Sequence, residues 1–294
     1  MTVEAIEPHG FCRGVANALC LAEAALESAP AYCLHPLVHN ETVAARLAAK
    51  GMRTVQTLAE VPSGGTLVIS AHGMRPSLRA EAVRRGLAIV DATCPFVARI
   101  HRQAHDFARR GVPVAVIGHA GHVEVQGIVG AVETYGGIVR TLHSVEEVPA
   151  LPFPQSSPVG VLCQTTFDAE VAAAILSALS KRYPSLQTPP AADICTATRD
   201  RQEAVRRFVG SGGDGVLVLG SAYSSNTCRL LEVARAAGAR FAARAGNVDE
   251  AAALDYAGVT RLGVTAGAST PEDVVTASLA RLVLISPLAN AHSV

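Results

Sequence analysis

The sequence is short of several things at once. It carries no net charge, since 25 basic and 25 acidic side chains balance over 294 residues. That argues against a nucleic-acid binder working by bulk electrostatics. Charged residues are only 17% and hydrophobic residues 49%, so the chain can bury a substantial core and is not a disordered one. Lysine is nearly absent, Lys50 and Lys181 being the only two. The other basic residues are arginines, a bias that reads as codon usage rather than function. No apolar run approaches the length of a transmembrane helix, so no membrane span is expected. The opening MTVEAIEPHG has neither a basic n-region nor an apolar h-region. No signal peptide is therefore expected, and the protein is expected to be cytoplasmic. There is no CxxC pair, and the cysteine count of seven is odd. An odd count excludes a fully paired disulfide framework, and structural disulfides are rare in the cytosol.

What is present is alternation. Short, β-branched apolar runs occur at Thr66 to Ser70, Val112 to Gly118, Val159 to Cys163, Gly215 to Gly220 and Leu262 to Thr265. They read as parallel strands covered on both faces. Between them lie helix-like segments over Gly14 to Glu27, Val97 to Arg110, Ala169 to Arg182, Arg199 to Val209 and Thr227 to Ala237. The pattern implies an α/β protein with parallel sheets, whose ligands bind beyond the carboxyl ends of the strands. Length is a soft prior for two domains, with one large or three small ones also open. Pro-rich connections are expected around Leu151 to Pro158 and Thr188 to Ala192.

The cysteines mark a weak internal repeat. Each of Cys12, Cys94 and Cys195 precedes a helix, an apolar run and a polar tip: His39-Asn40, His119 to His122, and Ser224-Ser225-Asn226. A second helix and strand then lead to a second tip: Ala71-His72-Gly73, Gln164-Thr165-Thr166, and Ala266 to Ser269. Three similar α/β units are expected, spanning residues 1–93 (including the N-terminal segment with Cys12), 94–193, and 194–294 with the C-terminal tail.

A thiol at a helix start has its thiolate stabilised by the dipole and free backbone N–H groups. Cys12, Cys94 and Cys195 are therefore candidate metal ligands, assembled from distant segments at a central site. Three thiolates can hold zinc with water as the fourth ligand, or three corners of a [4Fe–4S] cube with one iron open. Single buried or catalytic cysteines are the third possibility. Cys20, Cys33, Cys163 and Cys228 are expected to be small buried residues.

The tips offer neutral or switchable donors: His39, His72, His122, Ser224, Ser225, Asn226 and Ser269. Together with helix N-termini they can cradle a phosphate or diphosphate, although Ser-Ser-Asn before a helix is also an ordinary N-cap. Glu124 lies between valines beside a glycine-rich tip. Partial burial would raise its pKa toward proton donation, and the alternative is a plain helix N-terminal acid. Thr165 and Thr166 can orient a hydroxyl or cap the helix beginning near Asp168. His9, His35, His101, His105, His119 and His143 carry no comparable argument.

These residues fall in motifs that run nearly end to end: Gly10-Phe-Cys-Arg-Gly-Val15, Val38-His-Asn40, Ser70-Ala-His-Gly73, Asp91-Ala-Thr-Cys-Pro95, Gly118-His-Ala-Gly-His122, Gln164-Thr-Thr166, Arg201-Gln-Glu-Ala204, Ser224-Ser-Asn226 and Thr265-Ala-Gly-Ala-Ser269. In this order they resemble the LytB-type 4-hydroxy-3-methylbut-2-enyl diphosphate reductases, which end the non-mevalonate (MEP) isoprenoid pathway. The resemblance implies three α/β units about a pseudo-threefold axis. It implies a [4Fe–4S] cluster on Cys12, Cys94 and Cys195, with one open iron. It further implies diphosphate binding by His39, His72, His122, Ser224, Ser225, Asn226 and Ser269, Glu124 as proton donor, and Thr165 beside the substrate hydroxyl. The implied reaction removes an allylic hydroxyl as water with two electrons and two protons, the electrons coming from a reduced ferredoxin or flavodoxin. A paralogue acting on a related allylic or phosphorylated compound, a non-catalytic iron–sulfur sensor and a zinc protein are the alternatives. The chain departs from the family pattern at His9, Ala16, Asn17 and Val123. The last replaces a proline, so the segment carrying Glu124 is expected to be less rigid.

Overall fold

The computed structural model of the protein describes residues 1–188 and 193–289. Beyond Thr188, the second Pro-rich connection lies outside the described residues. In chain order the elements are β1 (Thr2–Ala5), α1 (Arg13–Leu26), β2 (Ala31–Leu34), α2 (Glu41–Ala49), β3 (Met52–Val55), β4 (Thr66–Ile69), α3 (Pro76–Arg84) and β5 (Ala88–Asp91). There follow α4 (Pro95–Arg109), β6 (Val114–Ile117), α5 (Val123–Glu133), β7 (Val139–Leu142), β8 (Val159–Cys163), α6 (Ala169–Arg182) and β9 (Leu186–Gln187). The last third holds α7 (Thr196–Gly210), β10 (Gly215–Leu219), α8 (Ser225–Ala236), β11 (Phe241–Ala245), α9 (Val248–Ala252), β12 (Arg261–Ala266) and α10 (Glu272–Ala289). No helix among the described residues is long and apolar enough to cross a membrane.

The strands form three four-stranded sheets, ordered β3-β2-β4-β5, β7-β6-β8-β9 and β11-β10-β12-β1, with parallel pairing throughout. The α/β fold with three small parallel sheets is thus as expected. All three follow one plan. The five apolar runs given above are central strands (β4, β6, β8, β10 and β12), β2 is the sixth central strand, and the edge strands flank them. The closing edge strand is the one just before the cysteine: β5 before Cys94, β9 before Cys195, and β1 before Cys12. Because β1 pairs with β12, Thr2 opposite Arg261 through Ala5 opposite Val264, the N-terminal strand completes the sheet of the last third.

Contacts divide the chain into two compact units. One comprises Met1–Val15, Val38–Arg46 and the described part of Thr196–Val294. Its sheet is covered on both faces: Leu217, Leu219 and Val264 pack with Val275 and Leu282 of α10, while Val216 and Val218 pack with Val205, Phe208 and Leu230 of α7 and α8. The other comprises Ala16–Leu37 and Leu47–Cys195. There Ile117, Val161 and Cys163 face Ile175 and Leu179 of α6, while Val114, Val116 and Leu162 face Ile100, Phe107 and Ile128 of α4 and α5. Two-sided burial is why the central strands read as continuous apolar runs. Each core is built from alternate residues of the same strand, since successive side chains point to opposite faces.

Candidate active site

Each of the three cysteines immediately precedes a helix: α1, α4 and α7. Their amides are used alike. Cys94 N–H donates to Ala71 O (3.0 Å), Cys195 N–H to Thr165 O (3.2 Å) and Cys12 N–H to Ala268 O (3.1 Å). Each cysteine therefore hangs from the second polar tip of a sheet, beyond a strand's carboxyl end. None of the three is in a disulfide, and all three are partly exposed. Cys94 is the N-cap of α4, with Pro95 in the first turn. Among the described residues, no three His, Cys, Asp or Glu side chains are grouped to hold a metal ion.

The first tips cap helices in an equally regular way. Asn40 Oδ1 accepts from Val43 N–H (3.0 Å), His122 Nδ1 from Glu124 N–H (3.2 Å) and Ser224 Oγ from Thr227 N–H (3.3 Å). The capping role foreseen for Ser-Ser-Asn is real, and it fixes the direction in which the next residues project. An accepting Nδ1 leaves the proton of neutral His122 on Nε2. Its ring meets His72 edge to face, centroids 5.6 Å apart.

In the unit holding Cys94 and Cys195, Glu124 is the second residue of α5 and is 1% exposed. Its Oε1 accepts from Thr165 N–H (2.6 Å) and its Oε2 from Thr165 Oγ1 (2.9 Å). Burial, reinforced by the charge of Asp193, pushes the carboxyl up to about 7 against the downward pull of the two Thr165 bonds. Glu124 is thus both a helix N-terminal acid and a buried one, so the two readings of it coincide. Thr165 does not cap a helix. Asp168 caps α6 instead, accepting from Val171 N–H (2.8 Å). Gln164, fully buried, takes His119 N–H on its Oε1 (3.0 Å) and so ties the β6 tip to the β8 tip.

In the other unit Asn226 is the second residue of α8. Its Oδ1 accepts from Ala268 N–H (3.0 Å), while its Nδ2 is buried with no hydrogen-bond partner. Ser269 Oγ donates to His39 O (3.0 Å). Hence Cys12, Asn226, Ser269 and His39 meet at one tip, with a buried donor left over. Ser224, Asn226 and Ser269 are buried.

Two residues beyond the expected set belong here. Asp193 is buried; its Oδ2 accepts from Cys163 N–H (2.9 Å) and its Oδ1 lies 3.7 Å from Arg99 Nη2. Burial pushes it up to about 6 although the Cys163 bond and Arg99 pull down. Its position two before Cys195 was the one available signal. Arg201, also buried, donates to Gly10 O (2.8 Å) and Ala197 O (2.9 Å), holding the turn before Cys12 on α7. Among the departures, His9 sits between two carboxylates, Nε2 2.9 Å from Glu7 Oε1 and Nδ1 3.3 Å from Glu272 Oε2. Val123 opens α5 directly after the His122 cap.

Of the other cysteines, Cys33 and Cys163 are buried, and burial pushes the Cys33 thiol up to about 12. Cys228 departs from the expected burial, being partly exposed. Cys20 is a correction: it is exposed, because the buried stripe of α1 runs through Val15, Ala18 and Ala22 and leaves position 20 on the outer face.

A model of the LytB protein family matches residues 3–283. The chain belongs to the LytB protein family. It is 43% identical over 281 residues, 94% of this chain and 84% of the relative, to 4-hydroxy-3-methylbut-2-enyl diphosphate reductase 2 of Burkholderia mallei. It is 42% identical over 284 residues, 95% and 90% of the two chains, to the reductase of that name from Chlamydia trachomatis. Among solved structures, the E-1-hydroxy-2-methyl-but-2-enyl-4-diphosphate reductase of Plasmodium falciparum superposes with a TM-score of 0.90 at 31% identity, covering 98% of this chain and 89% of that one. In this family member the hydrogen-bonded tips, not any single motif, carry the candidate chemistry.

Proposed function

We propose that this LytB family protein is a 4-hydroxy-3-methylbut-2-enyl diphosphate reductase. It removes the allylic hydroxyl of (E)-4-hydroxy-3-methylbut-2-enyl diphosphate as water and yields isopentenyl and dimethylallyl diphosphate, the last step of the MEP pathway. The observation that carries the reading is Glu124: a buried carboxyl, held by both groups of Thr165, whose pKa is pushed to about 7. Such a group keeps a proton near neutrality and can give it to a leaving oxygen.

Cys12, Cys94 and Cys195 suit a [4Fe–4S] cluster, because three partly exposed cysteines outside any disulfide each stand at a helix start where the thiolate is favoured. When bound, the cluster supplies single electrons and an open iron as Lewis acid. The chain's own residues do the rest. Thr165 Oγ1 orients Glu124 and lies beside the substrate hydroxyl. His39, His72, His122, Ser224, Ser225, Asn226 and Ser269 bind the diphosphate with neutral or switchable donors, and the unpartnered Asn226 Nδ2 is one such donor. Two electrons and two protons enter and one water leaves, the electrons coming from a ferredoxin or flavodoxin.

The test is anaerobic purification, iron and sulfide analysis, and turnover driven by reduced methyl viologen. Four irons per chain with formation of both isoprenoid diphosphates is the expected result. A colourless, zinc-loaded protein, or a cluster-loaded one that forms neither product, would sink the reading.

A further inference from the structure

Ser221 is 2% exposed and stands just after β10, three residues before the Ser224 cap. Its hydroxyl is engaged in both senses: it accepts from Tyr223 N–H (3.0 Å) and donates to Glu41 Oε1 (2.8 Å). The first bond shapes the turn that delivers Ser224, Ser225 and Asn226. The second reaches the first residue of α2, directly after His39-Asn40. Ser269 Oγ on the His39 carbonyl, just before α2, and Arg46 on Asp273 (Nη2 to Oδ2, 2.5 Å), within it, hold the same segment at two other points. Arg46 and Asp273 are half-exposed, so that ion pair contributes little by itself. The Glu41–Ser221 bond, by contrast, is anchored on a buried group, as is the Ser269–His39 bond.

Glu41 is also a carboxylate next to a tip assigned to an anionic diphosphate. Left free, it would oppose that ligand; engaged with Ser221, its charge is drawn onto a hydroxyl of the opposite tip. We propose that Glu41 and Ser221 are positioning residues that lock the His39-Asn40 tip to the Ser224–Asn226 tip in the geometry that grips the diphosphate. The proposal rests on the diphosphate-binding role assigned above to those tips.

The experiment is a double-mutant cycle on the cluster-loaded enzyme. Inorganic pyrophosphate binding is followed by calorimetry, and KM and kcat are measured separately. Glu41→Ala and Ser221→Ala should each weaken pyrophosphate and raise KM about ten-fold, the scale of a hydrogen bond to a charged group. The double variant should show the same ten-fold loss and not a hundred-fold one. Glu41→Gln, which keeps an acceptor for Ser221 and sheds the charge, should bind pyrophosphate at least as well as the parent. Iron content and kcat should stay within two-fold, which a general loss of structure would not allow. If the parent turns over but Glu41→Ala binds pyrophosphate as tightly, or the single losses multiply, the inference is overturned by itself. A parent without turnover or pyrophosphate binding overturns the functional reading and the inference with it.

Discussion

Glu124 and Asn226 occupy the same place in two different sheets. Each is the second residue of a helix, two after its cap, and each accepts the N–H of a second-tip residue, Thr165 or Ala268. The carbonyl of that tip residue takes the amide of the next cysteine, Cys195 or Cys12. One side chain ends in a carboxyl and the other in a carboxamide. Thr165 adds a hydroxyl that engages the second oxygen of Glu124, whereas Ala268 has none and Asn226 Nδ2 stays unpartnered. A single backbone device thus yields a proton-holding group at one tip and a spare neutral donor at the other. The two tips differ in that pair of side chains and not in the scaffold.

Exchanging the two chemistries should break the comparison most visibly. Glu124→Gln should lower turnover by about 10²–10⁴-fold, the range for a general acid, with cluster content unchanged. Unchanged activity would remove Glu124 from its role. The same variant sharpens the electrostatics. The folded pKa, about 7, exceeds the reference 4.5, so the folded state binds more protons and stability falls as pH rises from 4.5 to 7. The loss is on the order of 3 kcal/mol at 1.36 kcal/mol per unit. Glu124→Gln should flatten that fall in denaturant titrations at several pH values, and parental turnover should decline above pH 7 as the proton is lost.

The reverse exchange, Asn226→Asp, removes the spare donor and adds a negative charge. It should weaken pyrophosphate about 100-fold by calorimetry while leaving the titration of Glu124 in place. Thr165→Val comes next. It strips one of two bonds from Glu124, so turnover should fall about ten-fold. The upper limb of the pH–rate profile should shift upward, since that bond lowers the pKa; Thr165→Ser should restore both.

A smaller effect is expected at Gly118, where a Cβ would lie 2.8 Å from Val125 Cγ2 and 3.0 Å from Gln164. Gly118→Ala should cost about 1–3 kcal/mol in chemical denaturation. Cys20→Ser, on the outer face of α1, should change stability by less than about 0.5 kcal/mol and leave iron content alone.

The central strands were legible because burial on both faces writes an uninterrupted apolar run. Their edge neighbours were not. Met52–Val55 and Val139–Leu142 place Arg53-Thr54 and Arg140-Thr141 between two buried ends, and four such residues carry no period. Edge strands are short and polar for good reason. β1 was hidden for another reason, since its partner strand lies at the far end of the chain. At the site, the cysteines, the capping tips and Glu124 could be named from spacing and residue type. Asp193 could not be read as a buried acid, because its burial depends on Cys163 and Arg99, distant in sequence.

The sequence by itself determined the alternation of strands and helices, the threefold recurrence of cysteine and polar tip, and the residue types available at each tip. These are local properties of period, capping preference and donor chemistry. Only the tertiary structure decided which tip faces which cysteine, that Glu124 is sealed from water while Cys20 is not, and that Glu41 is engaged by Ser221. Desolvation and hydrogen-bond partnership depend on what long-range packing brings alongside a group, and neither is a property of its neighbours in the chain.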